Sequence, residues 1–217
     1  FIKQPHSAPS FAGVAPQGAL VVSGETLLVP GGRSVPAAFD LKTGALKYFH
    51  LNEGGKGNGG SFVAAGAKYY YVHTRERGVR VYDLNTGVAG TSTMNEPVIT
   101  EERTFDAAIS EKNGPVVREL GTGEKVYWEV AADGTGDLIK AGGKLYAAGK
   151  DSLCAISLPK EKGDKPGIVW TLPVKGSIQR LLAANGKLVA VTAEGGIQVY
   201  GTGKVIGKIA EMASVPP

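Results

Sequence analysis

Two short stretches place a carboxylate, a hydroxyl and a glycine at one fixed spacing. They are Asp40, Thr43 and Gly44 in AFDLKTGALKY, and Asp83, Thr86 and Gly87 in VYDLNTGVAGT. A carboxylate at the first of these positions accepts hydrogen bonds from the amides of a following turn, as in an Asx turn, and the hydroxyl adds to the set. Glycine then takes the positive φ that other residues avoid. This chemistry is structural: the pattern predicts a strand, a tight turn and a returning strand, with no catalytic role for Asp40 or Asp83.

Other chemistry-bearing residues are sparse. Cys154 is the only cysteine, which excludes an intrachain disulfide and a Cys-based zinc site. Its setting, SLCAIS, predicts a buried and inert thiol. His6, His50 and His73 stand far apart, so no metal site is expected. The glycine-rich run Asn52–Ser61 lacks the spacing of a phosphate loop and joins strand to strand, so it reads as a connection. Tyr69, Tyr70 and Tyr71 alternate sides of a strand, which predicts packing between sheets for one or two of them. One set remains as a candidate ligand or partner site: Arg33 in PGGRS, with His73, Arg75 and Arg77 around HTRERG. Lys112 and Lys150 follow in later segments, and together these would make one loop face mildly basic.

The elements that position these residues follow from composition and repetition. Glycine is abundant, 32 of 217 residues, about twice the usual 7%. It falls in pairs between short Val, Ala, Tyr and Leu runs, the mark of many short strands joined by tight turns. No window of about twelve residues holds a capped apolar period of about 3.6 residues, so little helix is expected. Positions 40, 83, 119, 157 and 201 mark successive copies of the strand–turn unit. They lie about 40 residues apart, the length of a four-stranded propeller blade. Thr26, Lys68, Arg103, Lys144 and Lys187 form a second landmark in step with the first. The fold class read from this is all-β: a propeller of four-stranded antiparallel blades over residues 18–51, 59–93, 96–131, 137–174 and 177–209.

The repeat resembles the A-x-D-x-x-T-G-x-x-x-W unit of quinoprotein-like (PQQ-like) β-propellers. Tyr48 stands where Trp is usual, Thr91 stands in that place in the second copy, and Tyr127 in the third. GVAPQGALVVSGETLLVPGGRSVPAAFDLKTG and GKLVAVTAEGGIQVYG further resemble a bacterial group similar to the propeller lipoprotein of the outer-membrane barrel-assembly machine. The resemblance covers residues 12 to 201. It implies the fold without the quinone. Quinoprotein dehydrogenases hold their cofactor and calcium with an adjacent Cys-Cys disulfide and a stacking Trp. Here there is one Cys, and Trp128 and Trp170 fall in outer-strand positions.

The expectation is therefore a non-catalytic binding or scaffold module with no cofactor and no metal, exported to the periplasm or the cell exterior. Its partner would be a protein or further blades. The rival is an enzyme, a degenerate oxidoreductase or a lyase using the loop face, which a quinone or haem absorption band would reveal. The net charge of +4 is too small to argue for nucleic acid. No apolar run approaches the roughly 18 residues of a membrane helix. Five copies nearly fill the chain, whereas rings of the family it resembles usually close with seven or eight blades. The expectation is a C-terminal part of a larger ring, with Leu27 and Val29 exposed at one end and Val189 and Val191 at the other. A closed five-bladed ring is the alternative.

Overall fold

The computed structural model describes residues 2–3, 9–10, 14–31, 35–50, 58–74, 78–93, 95–121, 125–161 and 164–202. All regular structure among them is strand. A short pair, β1 (Ile2–Lys3) and β2 (Pro9–Ser10), precedes five antiparallel sheets. The first sheet is β3 (Val21–Ser23), β4 (Thr26–Val29), β5 (Ala37–Asp40) and β6 (Leu46–Tyr48). The second is β7 (Asn58–Ala65), β8 (Tyr69–Thr74), β9 (Val79–Asp83) and β10 (Ala89–Thr93), and the third is β11 (Val98–Ile99), β12 (Thr104–Ser110), β13 (Gly114–Leu120) and β14 (Val126–Ala131). The fourth is β15 (Asp137–Ala141), β16 (Lys144–Ala148), β17 (Lys150–Ser157) and the first half of β18 (Gly167–Ala184). The second half of β18 opens the fifth sheet, followed by β19 (Lys187–Thr192) and β20 (Ile197–Gly201). Asn58–Ser61, read from sequence as part of a connection, belongs to β7.

The Asp-x-x-Thr-Gly turns form as their chemistry dictates. Asp40 Oδ1 accepts from the Thr43 amide and hydroxyl, both at 2.8 Å, and from the Lys42 amide at 3.2 Å. Asp83 Oδ1 accepts from Asn85 N, Thr86 N and Thr86 Oγ1 at 2.9, 2.9 and 3.0 Å. Gly44 and Gly87 both hold φ of 71°. In the third copy the longer side chain of Glu119 leaves the turn. It pairs with Arg103 and accepts from Trp128 Nε1 at 2.6 Å.

Strand register corrects the second sequence landmark. Asp40 faces Thr26, Ser157 faces Lys144 and Gly201 faces Lys187, as expected. Asp83, however, faces Tyr69 rather than Lys68, and Glu119 faces Phe105 rather than Arg103. The aromatic position is corrected too. Tyr48 pairs with Ala38, and Trp170 holds the same place opposite Ala155. In the third sheet a bulge between Glu119 and Leu120 shifts the outer strand. Trp128 and Val130 therefore pack toward the fourth sheet, while Tyr127 is exposed.

Neighbouring sheets meet through alternate residues of their strands. Between the first and second, Leu28, Ala38 and Tyr48 pack on Tyr70, Val72 and Tyr82. The Tyr48 hydroxyl donates to the Leu84 carbonyl at 2.8 Å. Its ring lies so close to Gly87 that a Cβ there would sit 2.6 Å from it. Phe105, Val117, Leu145 and Ile156 join the third and fourth sheets. Leu153, Ile178, Leu188 and Ala190 join the fourth and fifth.

The two end sheets expose apolar faces. Val22, Leu27, Phe39 and Leu46 form one cross-strand row on the first sheet, with Val22 54% and Leu46 53% exposed. Leu182, Val189 and Val199 form a row on the fifth, with Leu182 62% and Val199 48% exposed. Neither face covers the other. Leu27, Val189 and Val191 are partly exposed, as expected of end faces, but Val29 is buried at 7%.

Candidate functional site

Of the residues singled out as a ligand or partner site, Arg33, Arg75 and Arg77 lie outside the described residues. His73 lies near the end of β8. Its ring stacks on Phe62 with centroids 4.3 Å apart, and its Nε2 is 3.0 Å from Glu96 Oε1. Glu96 precedes β11, so this contact ties the second sheet to the entry of the third. Arg180, in the fifth-sheet half of β18, reaches Glu96 Oε1 at 3.4 Å and Asp137 Oδ1 at 3.9 Å. Asp137 begins β15 of the fourth sheet. Four side chains from four successive sheets thus meet where inner strands begin.

The cluster carries its own compensation. Glu96 serves His73 and Arg180 together. Asp137 Oδ2 accepts from Leu181 N at 2.7 Å and Oδ1 from Leu138 N at 3.0 Å. Burial pushes the Asp137 carboxyl above its ordinary pKa, against the opposing pull of those two amides and Arg180. Beside it, Asn95 Nδ2 donates to the Gly134 carbonyl at 2.5 Å, and Asp133 accepts from Thr135 Oγ1 at 2.6 Å and from Lys150 N at 3.2 Å. Among the described residues, no group of three or more His, Cys, Asp and Glu is placed to hold a metal ion. His73 with a carboxylate partner is half of an acid–base relay, but it is stacked on Phe62 and its carboxylate is shared with Arg180. The geometry is that of a cross-link between sheets with a polar, partly exposed surface. Sequence reasoning named His73 and did not name Glu96, Asp137 and Arg180, with which the structure groups it. Their signal was a charged residue at the start of an otherwise apolar inner strand.

The junction of the second and third sheets is unlike the other three. None of the three main apolar clusters spans it. Where the first junction has the stacked cross-strand pair Tyr70 and Tyr82, the third sheet has Asp106 opposite Arg118. Arg118 Nε and Nη2 donate to the two oxygens of this fully buried carboxylate at 2.7 and 3.0 Å. Burial pushes the Asp106 carboxyl up, and the guanidinium opposes that shift. Tyr71 faces the junction together with Thr104. A cleft of about 480 Å³ opens beside it, walled by Tyr69, Tyr71 and Val81 on one side and Thr104, Arg118 and Leu120 on the other.

No protein-family model matches the chain, and no curated protein matches it at a significant level. Solved structures do share its fold. It is similar to the crystal structure of BamB from Moraxella catarrhalis, at 16% identity and a TM-score of 0.50, over 86% of this chain and 59% of that one. It is also similar to the computationally designed Ika8 protein, at 14% identity and a TM-score of 0.53, over 85% of this chain and 57% of that one. The likeness is one of fold: repeated four-stranded antiparallel sheets arranged as in propeller proteins. The chain spans less than two thirds of the length of either structure.

Proposed function

We propose that this chain is a non-catalytic β-propeller module that binds a protein partner outside the cytoplasm, and that its five sheets are part of a ring of seven or eight. The observation that carries this is the pair of exposed apolar rows, Val22 to Leu46 on the first sheet and Leu182 to Val199 on the fifth. Propeller sheets bury both faces against neighbours, and a large uncovered apolar face attracts a partner. The similarity to BamB over 59% of that chain agrees with such an arc and with an extracytoplasmic place. The partner surface is the loop face at His73, to which the sequence adds Arg33, Arg75 and Arg77, and it takes an acidic segment. The test is a photo-crosslinking residue at Arg75 in the full-length protein in its own cells. One discrete protein adduct is expected, absent when the probe is moved to Lys160 on the opposite loops. No adduct at Arg75, or equal adducts at both places, overturns the reading.

A further inference from the structure

We propose that the cleft between the second and third sheets binds a small planar aromatic molecule carrying one N–H or O–H donor, of the phenol or indole class. The inference is independent of the partner surface on the loop face.

The first junction shows what fills such a place when an aromatic ring is present. There the outer strand β6 sends the Tyr48 ring across to the second sheet. The ring stacks near Tyr70 at 6.5 Å between centroids, and its hydroxyl donates to the Leu84 carbonyl. Trp170 holds the same place in the fourth sheet and packs into the junction with the fifth. By the sequence repeat the second copy has Thr91 in this place, where β10 pairs irregularly with β9 between Ala89 and Ser92. A threonine has no ring to send, and a cleft lies at the junction where one would go. The repeat fixes what surrounds that vacant place. Leu120 lines the cleft and follows Glu119 as Leu84 follows Asp83, so the repeat makes its carbonyl the counterpart of the acceptor that the Tyr48 hydroxyl uses in the first junction. The Asp106 and Arg118 pair stands where Tyr70 and Tyr82 lie. A guanidinium face held flat by a bidentate carboxylate is a good stacking surface for an aromatic ring. Tyr69 and Tyr71 supply the opposite wall. The Asp106 and Arg118 charges cancel, which favours a neutral ligand over an ion. The volume is within the range of about 300–1,000 Å³ usual for small-molecule sites, and a second cleft sharing Tyr69, Tyr71, Thr104 and Leu120 extends it.

The experiment is calorimetric titration of the whole chain with indole, 4-ethylphenol and cyclohexanol, for the native sequence and for Thr91→Trp, Thr91→Phe and Tyr69→Ala. A single buried ring is expected to bind with a Kd on the order of 0.1–1 mM. Cyclohexanol, with a hydroxyl but no π face, should bind at least about tenfold more weakly. Thr91→Trp supplies the ring from within the chain. It should abolish binding and raise the melting temperature by several degrees, as filling a cavity does. Tyr69→Ala, at a half-exposed wall position, should weaken binding about tenfold while the chain stays folded. If Thr91→Trp does not fold, Thr91→Phe and Tyr69→Ala decide. No heat from either aromatic at about 5 mM, equal binding of cyclohexanol, or undiminished binding in the folded variants overturns the proposal.

Discussion

At the scale of single residues, burial sets the chemistry. Cys154 packs among Leu145, Ala147 and Ile156, and burial pushes its thiol up to about 11. The thiolate is the reactive form, so Cys154 should resist thiol reagents in the folded chain and react fully only on unfolding. Tyr48 and Tyr71 make a second case. Burial raises both phenols to about 12 from the ordinary 10. The folded chain therefore keeps two protons that the unfolded chain loses near pH 10. The stability these tyrosines contribute is full below pH 10 and is lost as pH rises through about 12. Absorbance at the phenolate wavelength should show two tyrosines titrating late and together with unfolding. Titration of all tyrosines near their ordinary value in a chain that remains folded would contradict the packing of both junctions.

At the scale of the element, the turns separate conformation from packing. Gly44 and Gly87 have the same φ of 71°, but only Gly87 lies under the Tyr48 ring, while nothing is near the Cβ position of Gly44. Gly44→Ala should cost about 1 kcal/mol for the left-handed backbone alone. Gly87→Ala should cost roughly 2–4 kcal/mol, since overpacking adds to that strain. Urea unfolding measures both, and equal losses would refute the docking role of the second turn. The turns and the period of the sheets were legible in the sequence because Asp-x-x-Thr-Gly makes local hydrogen bonds that need no tertiary context. Register was less legible. A bulge at Glu119 and an offset at Lys68 are decided by the partner strand, which a linear spacing does not contain. The site was legible in part. His73 was named from the sequence, whereas Glu96, Asp137 and Arg180 come together only because the start of β18's second half lies beside β15. The odd second junction was written in the sequence as Thr91, Asp106 and Arg118. Its meaning needed the pairing that sets Asp106 and Arg118 in the places of two tyrosines.

At the scale of the whole molecule, the first and fifth sheets do not cover each other's apolar faces. Three junctions are filled by the main apolar clusters, and at the fourth the Asp106–Arg118 pair of the third sheet stands beside a cleft. The end sheets show rows of half-exposed Leu, Val and Phe that no described residue covers. An uncovered row of this kind costs about 25 cal/mol for each Å² of apolar surface left in water, so further sheets packed on it would stabilise the arc. The direct measurement is maleimide labelling of Leu46→Cys and Val199→Cys, for which the buried Cys154 gives a silent background. In this chain alone both introduced thiols should react at close to the rate of a free peptide thiol. In the full-length protein both should be protected by added sheets. Slow labelling of both in this chain alone would mean that its first and fifth sheets cover each other in a closed ring of five. Fast labelling in the full-length protein would mean that nothing completes the ring.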